Sequence, residues 1–182
     1  MNTTPYEPAF RYIHFFLIIF GLASYFTGEL AEEYEPIGFW IHSGLGFVLA
    51  LAIIVRIIYG FSGSEQLGFA SWGRKIRDYR NTVVDDLKII FGLALPDRDL
   101  HEGIAGVVQL FGLVVFGWMS VTGIMIFLIE LHYVGLDEEL FEELHEFGEV
   151  LIPVFLIMHI GAVILHYLKG DKLLVKINPF RS

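Results

Sequence analysis

His145 and His159 stand fourteen residues apart in the last apolar segment of this chain. On an α-helix that is almost four turns, so both rings fall near one face, about 21 Å apart along the axis. His14 and His42 stand near the starts of the first two apolar segments. Histidine within a membrane span is costly and is usually retained for function. A span of about 21 Å on one helix prevents a single ion from reaching both His145 and His159. A proton channel would want carboxylates in mid-helix, and the apolar segments offer none there. Interhelical polar glue accounts for one such histidine more readily than for four.

The elements that must carry these rings follow from hydropathy. Of the 182 residues, 55% are hydrophobic, a membrane composition rather than that of a soluble domain. About 20 residues cross a hydrocarbon core, and four stretches suffice: 10–27, 37–61, 103–129 and 144–168. We therefore expect an all-α membrane protein, a four-transmembrane-helix bundle forming one domain over 1–182. Without cysteine there is no disulfide, no thiolate cluster and no covalent haem attachment. The first span resembles a signal peptide in length, but its basic flank is nearly absent and cleavage would discard His14, so it is read as retained.

Charge supplies the topology. No Lys or Arg occurs between Arg11 and Arg56, or between Arg98 and Lys169. The loops after the first and third spans fall in those gaps. The positive-inside rule then puts both termini and the 62–102 loop in the cytoplasm. Within that loop, residues 74–95 alternate basic and apolar side chains up to Pro96, which predicts an amphipathic helix at the interface. It faces either lipid alone or a protein partner. The outer loops are acidic, with Glu29, Glu32, Glu33 and Glu35 in one and Asp137, Glu138, Glu139, Glu142, Glu143 and Glu146 in the other. The formal net charge of −9 is thus polarised and gives no basis for nucleic-acid binding. The acidic face is either plain solvated surface or a docking face for a basic partner. Residues 136–141 read as a short outer turn of helix before the fourth span, and Pro153 should kink that span.

With this topology the histidines sort by depth. His42 and His145 lie toward the outside, His14 and His159 toward the cytoplasm. Two rings at matching depth on facing helices suit an iron with one imidazole above and one below, so we expect two haems in the bundle core. Gly46, one turn after His42, leaves room for a porphyrin plane or for close helix packing. Gly21, Gly44 and Gly148 offer the same choice. Arg11 and Arg56 lie at the cytoplasmic end and either pair with propionates or snorkel to headgroups. His166, two turns after His159, competes as a ligand or belongs to a quinone or propionate site. His101 and His132 flank the third span and read as loop residues, although His132 is one of few groups able to meet an outer propionate.

The segments R-Y-I-H (Arg11–His14), H-S-G-L-G with R-I-I-Y-G-F (His42–Phe61), and L-H-E with H-I-G-A-V-I-L-H-Y (Leu144–Tyr167) resemble the prokaryotic cytochrome b561 family. That family includes the b-type cytochrome subunits of nickel–iron hydrogenases and related membrane dehydrogenases. The resemblance covers essentially the whole chain. It implies a bundle with two haem b groups held by His14, His42, His145 and His159, in the bacterial inner membrane, exchanging electrons with a quinone and with a partner redox protein. The partner is a hydrogenase-like or dehydrogenase subunit, or a basic cytochrome at the acidic outer face. One branch resembles a superoxide:ubiquinone oxidoreductase, in which the position of His166 is associated with quinone. The run Arg56–Gly63 and the long cytoplasmic loop look hydrogenase-like, whereas Asp99–Gly103 replaces the G-H-N-P common before the third helix of such subunits. Superoxide is an anion, and the acidic outer loops disfavour its capture.

Overall fold

A computed structural model describes residues 5–34, 36–62, 68–69, 79–92 and 103–180. Among the described residues the secondary structure is helical, with no strand: α1 (Pro8–Phe26), α2 (Gly28–Glu33), α3 (Ile37–Phe61), α4 (Tyr79–Phe91), α5 (Gly103–Glu130), α6 (Glu138–Leu168) and α7 (Leu173–Ile177). Four of these, α1, α3, α5 and α6, are long and apolar enough to cross a membrane. Only 17%, 22%, 22% and 11% of their most apolar windows is buried within the protein. Side chains such as Ile157, Val150, Val121 and Ile58 point outward. In water, so much exposed apolar surface would drive association, whereas lipid is its proper solvent. The chain is a multi-pass membrane protein.

Local chemistry explains where the helices start and stop. The Asp137 carboxylate accepts from the Leu140 amide at 3.4 Å, an N-cap that starts α6 at Glu138. The expected short turn at 136–141 is therefore the first turn of the fourth span, because no breaker separates them. Pro153 removes one ladder bond without ending α6. The segment after α1, expected as a loop, contains the short helix α2, which suits its run of Glu, Leu and Ala. Gly38 is needed where α2 meets α3. A Cβ there would collide with the Leu30 carbonyl.

Two left-handed residues end the long helices. His132, at φ 58°, ends α5, with the Tyr133 amide bonding to Leu128 and the His132 amide to Ile129. Gly170, at φ 89°, ends α6 in the same way, with the Asp171 amide bonding to His166 and the Gly170 amide to Tyr167. Both are Schellman motifs, which satisfy carbonyls left over at a helix end.

The chain forms two compact units. The first comprises the described residues of Met1–Tyr12, Arg56–Gly112 and Phe155–Ser182; the second is Ile13–Val55 with Leu113–Val154. In the second unit, Leu49, Ile53, Val115, Met119 and Ile152 form the buried apolar core. In the first unit α4 docks through Asp86, only 1% exposed, whose carboxylate accepts from the Ile104 amide at 3.0 Å in the first turn of α5. A carboxylate at a helix N-terminus satisfies a free donor and complements the helix dipole, worth about 1 kcal/mol. The amphipathic helix expected over 74–95 is thus described as α4, fastened to a transmembrane helix; residues 70–78 and 93–100 lie outside the described residues.

Candidate functional site

In the second unit His42 on α3 and His145 on α6 bring their rings together. The ring centroids are 6.2 Å apart and the ring planes are perpendicular, at 88°. Metal–imidazole nitrogen bonds are about 2.0–2.1 Å, and a ring centre lies about 1.1 Å behind its nitrogen, so two imidazoles on opposite sides of one metal have centroids about 6.3 Å apart. The observed spacing matches. Among the described residues no cluster of three or more His, Cys, Asp or Glu could hold a metal ion. Two imidazoles alone suit a metal whose other donors arrive with it, as a porphyrin's four nitrogens do.

The rings border a cavity lined by residues of α1, α3, α5 and α6. Gly46, Gly123, Phe47, Phe116 and Phe127 contribute to its walls. A Cβ added at Gly46 or Gly44 would meet nothing within 4 Å, so Gly46 leaves open space beside His42. Gly148 has a different job. A Cβ there would collide with Met119 Sδ and crowd Trp118, so this glycine permits close packing of α6 on α5. Gly21 is also a packing position, backed by Phe116 and Leu49.

Each ring is held at Nδ1. Thr122 Oγ1 lies 2.8 Å from His145 Nδ1, and Thr27 Oγ1 lies 3.4 Å from His42 Nδ1. Both threonines also touch carbonyls of their own chain one turn back. The Trp118 indole donates to the Leu144 carbonyl at 2.7 Å, locking α5 to α6 beside His145. With Nδ1 engaged, Nε2 remains on each ring as a donor to a metal. Neither threonine was evident in the sequence. Thr27 is fifteen residues from His42 with α2 between them, and Thr122 is on a different helix from His145. Glu149, one turn after His145, also lines the cavity. It is a carboxylate within a span and was not singled out by the sequence, although the i, i+4 spacing from His145 could have drawn attention to it.

His14, half-buried on α1, belongs to the second unit, and His159, half-buried on α6, belongs to the first. The His159 ring stacks on Phe155, centroids 5.3 Å apart and planes 15° from parallel. Phe155 fits where Gly112 has no side chain; a Cβ there would collide with the ring. Arg11 and Arg56 are both buried, which is not the posture of a side chain snorkelling to headgroups. Arg11 donates to the Asn178 carbonyl at 2.9 Å, and the Arg56 guanidinium lies 5.2 Å from the Phe69 ring centre. His166 Nδ1 pairs with Asp171 at 2.7 Å, because the Schellman turn at Gly170 folds Asp171 back over the helix end. Nearby, burial and then the charge of Asp171 raise the Tyr6 phenol above its ordinary range. His132 serves as the stop of α5, and His101 lies outside the described residues.

The family model for prokaryotic cytochrome b561 matches residues 5–177. The chain belongs to the prokaryotic cytochrome b561 family. Members of this family are membrane electron-transfer proteins that carry b-type haem, which suits four spans and a two-histidine site beside a cavity. No curated protein and no solved structure matches the chain.

Proposed function

We propose that this cytochrome b561 family member relays electrons between the quinone pool and a partner redox protein through two bis-histidine b haems in the bacterial inner membrane. The observation that carries the reading is the His42–His145 pair, at the spacing of two ligands on one metal and bordering a cavity with open space beside Gly46. Haem iron, when bound, supplies reversible one-electron transfer with a potential set by ligation, burial and hydrogen bonding.

The protein's own groups do the rest. His42 and His145 hold the outer group, and His14 with His159 hold the inner one. Phe47, Phe116 and Phe127 keep water from the outer cavity, while Gly46 leaves room in it. Arg11 and Arg56 offer buried positive charge to propionates of the inner group. The Asp171 carboxylate orients the His166 ring through Nδ1 and leaves Nε2 to hydrogen-bond a quinone or quinol headgroup. Both termini face the cytoplasm, by the distribution of Lys and Arg. At the other face, Glu138, Glu139, Glu142, Glu143 and Glu146 are exposed around the first turns of α6, favouring a basic protein over an anion such as superoxide.

A reduced-minus-oxidised spectrum of the purified protein, with haem and protein both quantified, tests this. Two b haems per chain are expected. One haem per chain defeats the double pairing, and a haem-free protein defeats the reading altogether. A C-terminal reporter that is active only outside the cytoplasm should stay silent.

A further inference from the structure

The two threonines beside the ring pair share an arrangement that bears on how the rings work. A threonine hydroxyl has one hydrogen to give and two lone pairs to accept with. Thr122 Oγ1 lies 3.0 Å from the Trp118 carbonyl and 3.3 Å from the Met119 carbonyl. Carbonyls only accept, so the hydroxyl hydrogen is committed to them, as in the back-bonding that threonine makes within helices. What Thr122 presents to His145 at 2.8 Å is then a lone pair, and only a protonated Nδ1 can meet it. On the other ring, Thr27 Oγ1 donates to the Ala23 carbonyl at 2.8 Å, lies 3.1 Å from the Ser24 carbonyl, and turns its acceptor side toward His42 Nδ1 at 3.4 Å.

We infer that Thr122 and Thr27 are positioning residues that fix both histidines as Nδ1–H tautomers and tune the metal through them, Thr122 strongly and Thr27 weakly. An acceptor on Nδ1–H lends the ring anionic character, makes Nε2 more basic and favours the oxidised metal. Thr122 is only 4% exposed, so its bond to His145 is sheltered from water. The bond at Thr27 is longer by 0.6 Å (3.4 against 2.8 Å). The two ligands of one iron would thus differ in donor strength. The inference depends on the haem assignment proposed above.

The test is redox titration of the haem-loaded protein, with low-temperature electron paramagnetic resonance of the oxidised form. Thr122→Val keeps shape and removes the acceptor. It is expected to raise the potential of one haem, lowering the oxidised-to-reduced ratio at a fixed potential three- to tenfold, about 30–60 mV for one electron. Its resonance should shift too, and Thr122→Ser should restore both. Thr27→Val should move them less. Ser120→Ala removes another hydroxyl from the cavity wall, one that donates to the Phe116 carbonyl at 2.8 Å; an equal shift there assigns the effect to general polarity and overturns the inference. An unchanged potential in Thr122→Val also overturns it. Should that variant lose haem, the reduced wild-type protein decides, by nuclear magnetic resonance of ¹⁵N-labelled histidine. A slowly exchanging ring Nδ1 proton on His145 supports the bond, and exchange as fast as that of free imidazole refutes it. A wild type without bis-histidine haem defeats the underlying assignment, whereas a normal wild-type haem indifferent to Thr122 defeats this inference alone.

Discussion

The two compact units bury opposite kinds of side chain. In the unit holding His42 and His145, the buried side chains among the described residues are apolar except for Ser24 and Thr122. In the other unit, the buried side chains among the described residues are Arg11, Arg56 and Asp86, all ionisable. Burying a charge is expensive unless something compensates it. Asp86 has the start of α5, Arg56 has the Phe69 ring and Arg11 has the Asn178 carbonyl. One unit thus offers a hydroxyl-trimmed cavity with no cation on its wall, and the other keeps cations in store. The two haems proposed for this chain would sit in unlike electrostatic surroundings, and unlike potentials are what a directional relay between two sites uses.

The largest expected effect tests the unit that holds His42 and His145. His42→Ala and His145→Ala should each abolish the same haem and leave the other, halving the haem absorbance per chain. Loss of different haems would break the pairing. Gly46→Leu comes next. A Cβ there meets only open space, so a larger side chain should leave the fold intact while cutting occupancy of the outer haem severalfold; unchanged haem content would mean that the cofactor lies elsewhere. In the charged unit, Arg56→Gln removes a buried cation and should lower the potential of the inner haem, raising its oxidised-to-reduced ratio about tenfold, or about 59 mV. A shift confined to the outer haem would reverse the comparison. Gly112→Ala forces Phe155 off its seat and should destabilise the protein by about 1–3 kcal/mol in thermal unfolding. The smallest effect is Asp171→Asn. It frees a partly exposed His166 and should leave haem content and stability nearly untouched while raising the KM for quinone. An unaltered KM would remove His166 from the quinone site.

Much of this architecture is legible in the sequence because membrane spans obey a coarse rule, about twenty apolar residues each. Bounds drawn from hydropathy alone fall near those of α1, α3 and α5. They miss the start of α6, because a cap at Asp137 and helix-forming glutamates carry a helix beyond its apolar stretch. The adjacency of His42 and His145 can be read from depth, since the charge map gives every span an expected direction. The ligand set itself waits on the variants above. What supports each ring cannot be read in this way. Thr27 and Thr122 gain their role from contacts between helices, which leave no periodic mark on the chain. Gly46 and Gly148 look alike in sequence, each one turn after a histidine, yet one opens a space and the other closes a seam.

The back-bonded hydroxyls have a consequence for substitution. Each threonine is oriented by carbonyls of its own helix, so the polypeptide itself sets the aim of each histidine. A substitution at either threonine would then act on the ring's orientation as well as on its donor strength.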